Sequence, residues 1–173
     1  MAKHTILALL TVVCGCAAEP LDDDSAEDLS LEVSEEDEAL DAEFETTIDG
    51  KADGALGYNA VAQLVVDAGV PCTGERIATA VAVARAESSF RPRITNTVGN
   101  AHGIDRGLWQ INSYWHPEVS ATCALSASCN ARAMARISRN ATRWTEWWTW
   151  KNNRHVQYMA SARAAQRHVC GND

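Results

Sequence analysis

The chain is predicted to fold as a mainly α domain, in the α+β sense, with one small antiparallel β element. Three observations carry this. Residues 59–68 place their apolar side chains at helical spacing. Residues 77–86 contain eight Ala, Val or Ile in ten positions, too apolar all round for a surface helix. Residues 96–107 are rich in Asn, Gly and Thr and read as the tight turns of a small ribbon.

The elements follow in chain order. The first helix, 59–68, is ended by Gly69 and Pro71. Thr73 is the expected N-cap of the second helix, with Glu75 as an acid in its first turn. That helix, the expected buried centre of the domain, must end before Pro92, which disfavours helical backbone at Arg91 and leaves Glu87 in the last turn. In the ribbon, Val98-Gly99-Asn100, Gly103 and Gly107 mark turns. After Pro117 a helix is expected over 130–140, then a tryptophan-rich stretch at 144–150, then a last helix over about 156–169. No internal repeat is visible.

Charge divides the chain. Residues 1–53 hold 16 acids and two lysines, a net of −14, whereas residues 54–173 hold 13 Lys+Arg and seven acids, a net of +6. Residues 1–18 open with Lys3 and His4 and continue into an apolar run, too short for a permanent span, that reads as an export signal. Val13-Cys14-Gly15-Cys16 resembles the bacterial lipobox, which implies lipidation of Cys16 as the mature N-terminus. The alternative is an ordinary signal cut near Ala17 or Ala18. Residues 19–53, acidic and with one Phe, cannot bury enough apolar surface to offset chain entropy and are expected to be a disordered tether. Thirty-five flexible residues span roughly 30 to 36 Å, a working radius for an anchored domain. A fold-back of this acidic segment onto the basic domain is the competing role.

The folded part, 54–173, retains Cys72, Cys123, Cys129 and Cys170. An even count in an exported chain reads as two disulfides with three connectivities; the short loop between Cys123 and Cys129 favours a local bridge, leaving Cys72 to Cys170. Zinc is disfavoured because no CxxC or HxxxH spacing is present and His102, His116, His155 and His168 are scattered. No metal or cofactor is expected.

Glu87 is the first candidate for chemistry. An acid that protonates a glycosidic oxygen must stay protonated near neutral pH, and an apolar helix whose negative dipole end lies at the carboxyl favours that. Composition alone fits an ordinary solvated helix-end Glu as well. The neighbouring residues decide between the two. Glu87-Ser88-Ser89-Phe90 and Gly107-Leu108-Trp109-Gln110-Ile111-Asn112 resemble the catalytic-Glu and G-x-x-Q motifs of the lysozyme-like superfamily, which includes soluble lytic transglycosylases and animal lysozymes. Trp144-Thr145-Glu146-Trp147 resembles the W-x-x-W of chicken-type lysozymes. The resemblance covers about residues 73–149 and implies a lysozyme-like fold. It further implies Glu87 as acid/base, Gln110 shaping the sugar cleft, and Ser88, Asn112 and Trp147 as further substrate-binding positions.

Asp105 lies two residues before Gly107, where chicken-type lysozymes carry the Asp that acts as nucleophile or electrostatic stabiliser. Many lytic transglycosylases lack it and use the sugar's own 6-hydroxyl in place of water. A turn-forming role for Asp105 is the alternative. The Ala-Tyr-Asn motif of soluble lytic transglycosylases is missing, with Lys151-Asn152-Asn153 and Val156-Gln157-Tyr158 only loose substitutes. Of the six tryptophans, Trp109 and Trp144 are expected in the core, and one of Trp147, Trp148 or Trp150 in the cleft.

These readings converge on a monomeric, exported peptidoglycan glycosidase, anchored to the envelope if Cys16 is lipidated and otherwise secreted. It would cut the β-1,4 bond between N-acetylmuramic acid and N-acetylglucosamine as a muramidase or lytic transglycosylase. The basic domain suits an anionic wall polymer, and no nucleic-acid motif is present. The rival reading is a non-catalytic peptidoglycan-binding lipoprotein that keeps the cleft as a sugar groove.

Overall fold

A computed structural model describes residues 54–98 and 102–171. Residues 1–18, with Cys16 and the expected export signal, the acidic segment 19–53, and Gly99 and Asn100 of the first expected turn lie outside the described residues.

Helix α1 (Tyr58–Asp67) buries Val61, Ala62, Leu64 and Val65, one stripe of its surface. Helix α2 (Arg76–Ser88) buries nine of its 13 residues, including the unbroken run Ile77 to Ala84. It is the centre of the domain, as its composition requires. α1 and three C-terminal elements pack around it: α5 (Trp148–Lys151), a 3-10 turn (Val156–Tyr158) and α6 (Met159–Cys170). Burial of small side chains lets these helices approach closely.

The start of α2 corrects the expectation for Thr73. The N-cap position is Glu75, with no side-chain cap, and the Thr73 amide turns back to the Pro71 carbonyl at 2.8 Å. The helix is instead capped from 88 residues away: Gln166 of α6 accepts from the Ala78 amide at 2.8 Å and donates to the Gly74 carbonyl at 2.7 Å. Arg163 of α6 binds both Glu75 oxygens, at 2.5 and 3.2 Å. A tertiary partner thus satisfies an end that local sequence does not.

The β element has three two-residue strands, β1 (Thr95–Asn96), β2 (Asp105–Arg106) and β3 (Ile111–Asn112), antiparallel in the order β1-β2-β3. Asp105 lies opposite both Asn96 and Asn112. So short a sheet has little stability of its own, and it is tied to the helices through Asn130. This side chain, 1% exposed, accepts from the Trp109 amide at 3.0 Å and donates to the carbonyls of Ala124 at 2.9 Å and Arg106 at 3.3 Å.

The expected helix over 130–140 is displaced. Two helices occupy this region, α3 (Ala121–Leu125) and α4 (Ala127–Ile137). Ser120 and Ser126 cap them by accepting from the Cys123 and Cys129 amides, at 3.1 and 3.2 Å. Arg139, Asn140 and Ala141 all have positive φ, which ends the helical path before Asn140. At the C-terminus, the first turn of the expected helix over 156–169 is the 3-10 segment. Disulfides join Cys123 to Cys129 and Cys72 to Cys170, the second closing a separation of 98 residues. Among the described residues no helix is long and apolar enough to cross a membrane.

Candidate active site

A cleft runs between the β element and the tryptophan-rich segment. Glu87 and Asp105 both line it, with Gln110, Asn112, Trp115 and His116 on the ribbon side and Glu146, Trp147 and Trp148 opposite. The sequence motifs, up to about 60 residues apart, converge here.

Glu87 is the penultimate residue of α2, which fixes the carboxyl's height and direction. The chain then leaves the helix abruptly: Ser89 and Phe90 have φ of 55° and 66°, the left-handed region that a bulky residue rarely adopts. Ser88 makes that exit. Its hydroxyl donates to the Ala84 carbonyl at 3.0 Å and accepts from the Phe90 amide at 3.1 Å, and the residue is 2% exposed. Ser88, implied by the motif as a substrate-binding position, is placed by the structure at the helix exit and away from the cleft. Its polar atom is spent on the backbone, and it does not line the cleft.

Burial pushes the Glu87 carboxyl above its ordinary value, and the nearby Asp105 charge pushes the same way. Hydrogen bonds from Thr149 oppose this. Thr149 Oγ1 donates to Glu87 Oε1 at 2.6 Å, and its backbone also contributes.

Asp105 stands on the central strand, where Asn112 Nδ2 donates to its Oδ1 at 2.7 Å. Asn112 also donates to the His102 carbonyl at 3.2 Å and accepts from the Tyr114 amide at 2.9 Å, so its side chain is the junction of the ribbon. Gln110, at φ 47°, turns its amide back to donate to the Gly107 carbonyl at 2.8 Å and that of Ile94 at 3.4 Å. Gly107 itself has φ +75°. A Cβ there would collide with the Ala124 carbonyl and lie 2.6 Å from Asn130 Nδ2, so the motif needs glycine for space as well as for conformation.

The tryptophans separate by depth. Trp109 is fully buried and donates to the Ala80 carbonyl at 3.0 Å, and Trp144 is 4% exposed, both in the core as expected. Trp147 borders the cleft yet is 6% exposed, its indole N–H donating to the Trp109 carbonyl at 2.8 Å. Trp148 and Trp115 also border it, at 57% and 68% exposure, with the Arg154 guanidinium 5.4 Å from the Trp148 ring centroid and Tyr114 edge-on to Trp115 at 4.8 Å between centroids. His116 Nδ1 lies 3.2 Å from a Glu118 carboxylate oxygen, which accepts, and Arg136 pairs with the same oxygen at 3.7 Å. Among the described residues no cluster of three His, Cys, Asp or Glu is placed to hold a metal ion.

Sequence reasoning missed Thr149, Asn130 and His155. Asn130 left one trace, a carboxamide one position from Cys129 and Ala131 in a helix rich in alanine. Thr149, between two tryptophans, left none.

Residues 62–149 match the family model described as "Lysozyme like domain", half of the chain, and the chain belongs to that family. The mainly α fold with its three-stranded antiparallel element is the lysozyme-like fold. No curated protein and no solved structure matches the chain.

Proposed function

We propose that this chain is a peptidoglycan glycosidase that cuts the β-1,4 bond between N-acetylmuramic acid and N-acetylglucosamine, with Glu87 as general acid and then base. The observation that carries this is Glu87 itself: a carboxyl raised by burial, on the floor of a cleft that a second carboxylate, Asp105, also lines. Two carboxylates in unlike settings are what separates an acid from its charged partner. Glu87 protonates the leaving oxygen, and Asp105 stabilises the positive charge that develops at the anomeric carbon. Glu87, now ionised, takes the proton of the incoming hydroxyl. A hydrolytic outcome, with water as that hydroxyl, is the reading Asp105 favours. Trp115 and Trp148, on opposite sides, offer platforms for sugars flanking the cut.

Export and lipid anchoring at Cys16 belong to the same proposal, placing the domain in the envelope on its acidic tether. The test is digestion of purified peptidoglycan followed by mass spectrometry of the products. Reducing muramic ends are expected; anhydromuramyl ends would mean transglycosylation. Intact glycan that remains bound would favour the wall-binding reading.

A further inference from the structure

We infer that Thr149 is a positioning residue for the acid, its hydroxyl fixing Glu87 Oε1 as a hydrogen-bond acceptor so that Oε2 is the oxygen that carries the transferable proton. The inference rests on the reading of Glu87 as the acid.

First, a protonated carboxyl has two oxygens, and only a proton on the oxygen that faces the substrate is useful. A donor fixed on one oxygen makes that oxygen an acceptor and leaves the proton to the other. Thr149 Oγ1 stands 2.6 Å from Oε1, the ordinary distance for an O–H donor to a charged oxygen. When Glu87 is ionised after proton transfer, the same donor stabilises the carboxylate, so one contact serves both halves of an acid-then-base cycle.

Second, Thr149 is itself held rigidly. It is 6% exposed, in the first turn of α5, and its carbonyl accepts from the Arg154 amide at 2.8 Å. His155, beyond the end of α5, is 5% exposed, its Nδ1 without a hydrogen-bond partner among the described residues, and is stacked on Trp150 with ring centroids 4.2 Å apart. Burial holds the His155 imidazole below its ordinary value, which keeps it uncharged at neutral pH. A neutral ring stacked on the indole next to Thr149 adds no charge near the acid.

Third, the remaining ionisable groups around Glu87 are accounted for. Asp105, His116 and Glu146 share the cleft, and of these Asp105 acts on Glu87. On Glu87's own helix, Arg85 is directed at the Phe90 and Tyr158 rings, and Arg163 of α6 is bound to Glu75 at the far end. Among these groups the hydroxyl on Oε1 is Thr149's.

The test compares the full chain with Thr149→Val, Thr149→Ala and Thr149→Ser. The Glu87 carboxyl is titrated by carbon NMR, and kcat and KM are measured across pH on peptidoglycan. Loss of the hydroxyl is expected to raise the Glu87 titration midpoint by about one unit, a tenfold change in proton affinity. It should also lower kcat about tenfold or more with KM unchanged, and serine should restore both. An unshifted midpoint in the alanine and valine variants, or a kcat equal to wild type, overturns the inference. If valine does not pack, alanine removes the same hydroxyl with less bulk. A wild-type protein with no turnover defeats the glycosidase reading instead, and the NMR midpoints still decide the hydrogen bond.

Discussion

The indole N–H of Trp147 donates to the Trp109 carbonyl at 2.8 Å, a bond between residues 38 positions apart. It fastens the wall bearing Thr149 and Trp148 to the motif bearing Gln110, and so sets the width of the cleft at its inner end. Trp147→Phe keeps an aromatic ring and deletes the donor, leaving a buried carbonyl unpaired. A loss of about 1–3 kcal/mol in urea unfolding is expected, with a fall in kcat/KM because the two walls are no longer tied.

Glu87→Gln should abolish turnover, by about 10²–10⁴-fold for the loss of a general acid. It should also change stability in a defined direction. The native Glu87 binds its proton more tightly than the unfolded chain does. Between the ordinary value of 4.5 and the raised native one, the folded state therefore holds more protons, and stability falls as pH rises through that window. Glutamine removes this dependence. The variant should match wild type below pH 4.5 and exceed it at neutral pH, as thermal melts at the two pH values would reveal.

Asp105→Asn separates the two roles of that residue. An asparagine oxygen still accepts from Asn112, so the ribbon turn is kept while the charge is lost. With a catalytic role, kcat falls by about 10²-fold or more at an unchanged melting temperature. The alkaline limb of the pH profile also moves down, since the Asp105 charge that helps raise Glu87 is gone. A variant that loses melting temperature and keeps its turnover would assign Asp105 to the turn alone.

The two disulfides should differ in worth. Replacing Cys72 and Cys170 with serine releases a loop of 98 residues and should cost about 4–5 kcal/mol on loop-entropy grounds. The Cys123–Cys129 pair closes six residues, for which the same relation gives about 2 kcal/mol. Denaturant titration of each double variant gives the order directly.

Much of this molecule was legible in its sequence where local chemistry decided the outcome. The run Ile77 to Ala84 is apolar but for Thr79 and is buried on every side. The six-residue spacing of Cys123 and Cys129 favoured the pairing that is present. Legibility failed where a distant partner replaced a local one. Thr73 has the right chemistry for a cap, yet Gln166 caps α2 from another helix. Thr149 meets Glu87 across 62 residues, a proximity that no periodicity encodes.

Helix α2 is pinned at both ends, by Gln166 and Arg163 at its start and by the Ser88 hydroxyl at its finish. Its 13 residues thus act as a ruler with a set phase. One residue inserted within it would rotate everything beyond by about 100° and advance it by about 1.5 Å, swinging the Glu87 carboxyl off Thr149 and out of the cleft. Side chains along α2 can be exchanged for others of similar size, but their number is fixed: the aim of the acid is stored as a residue count.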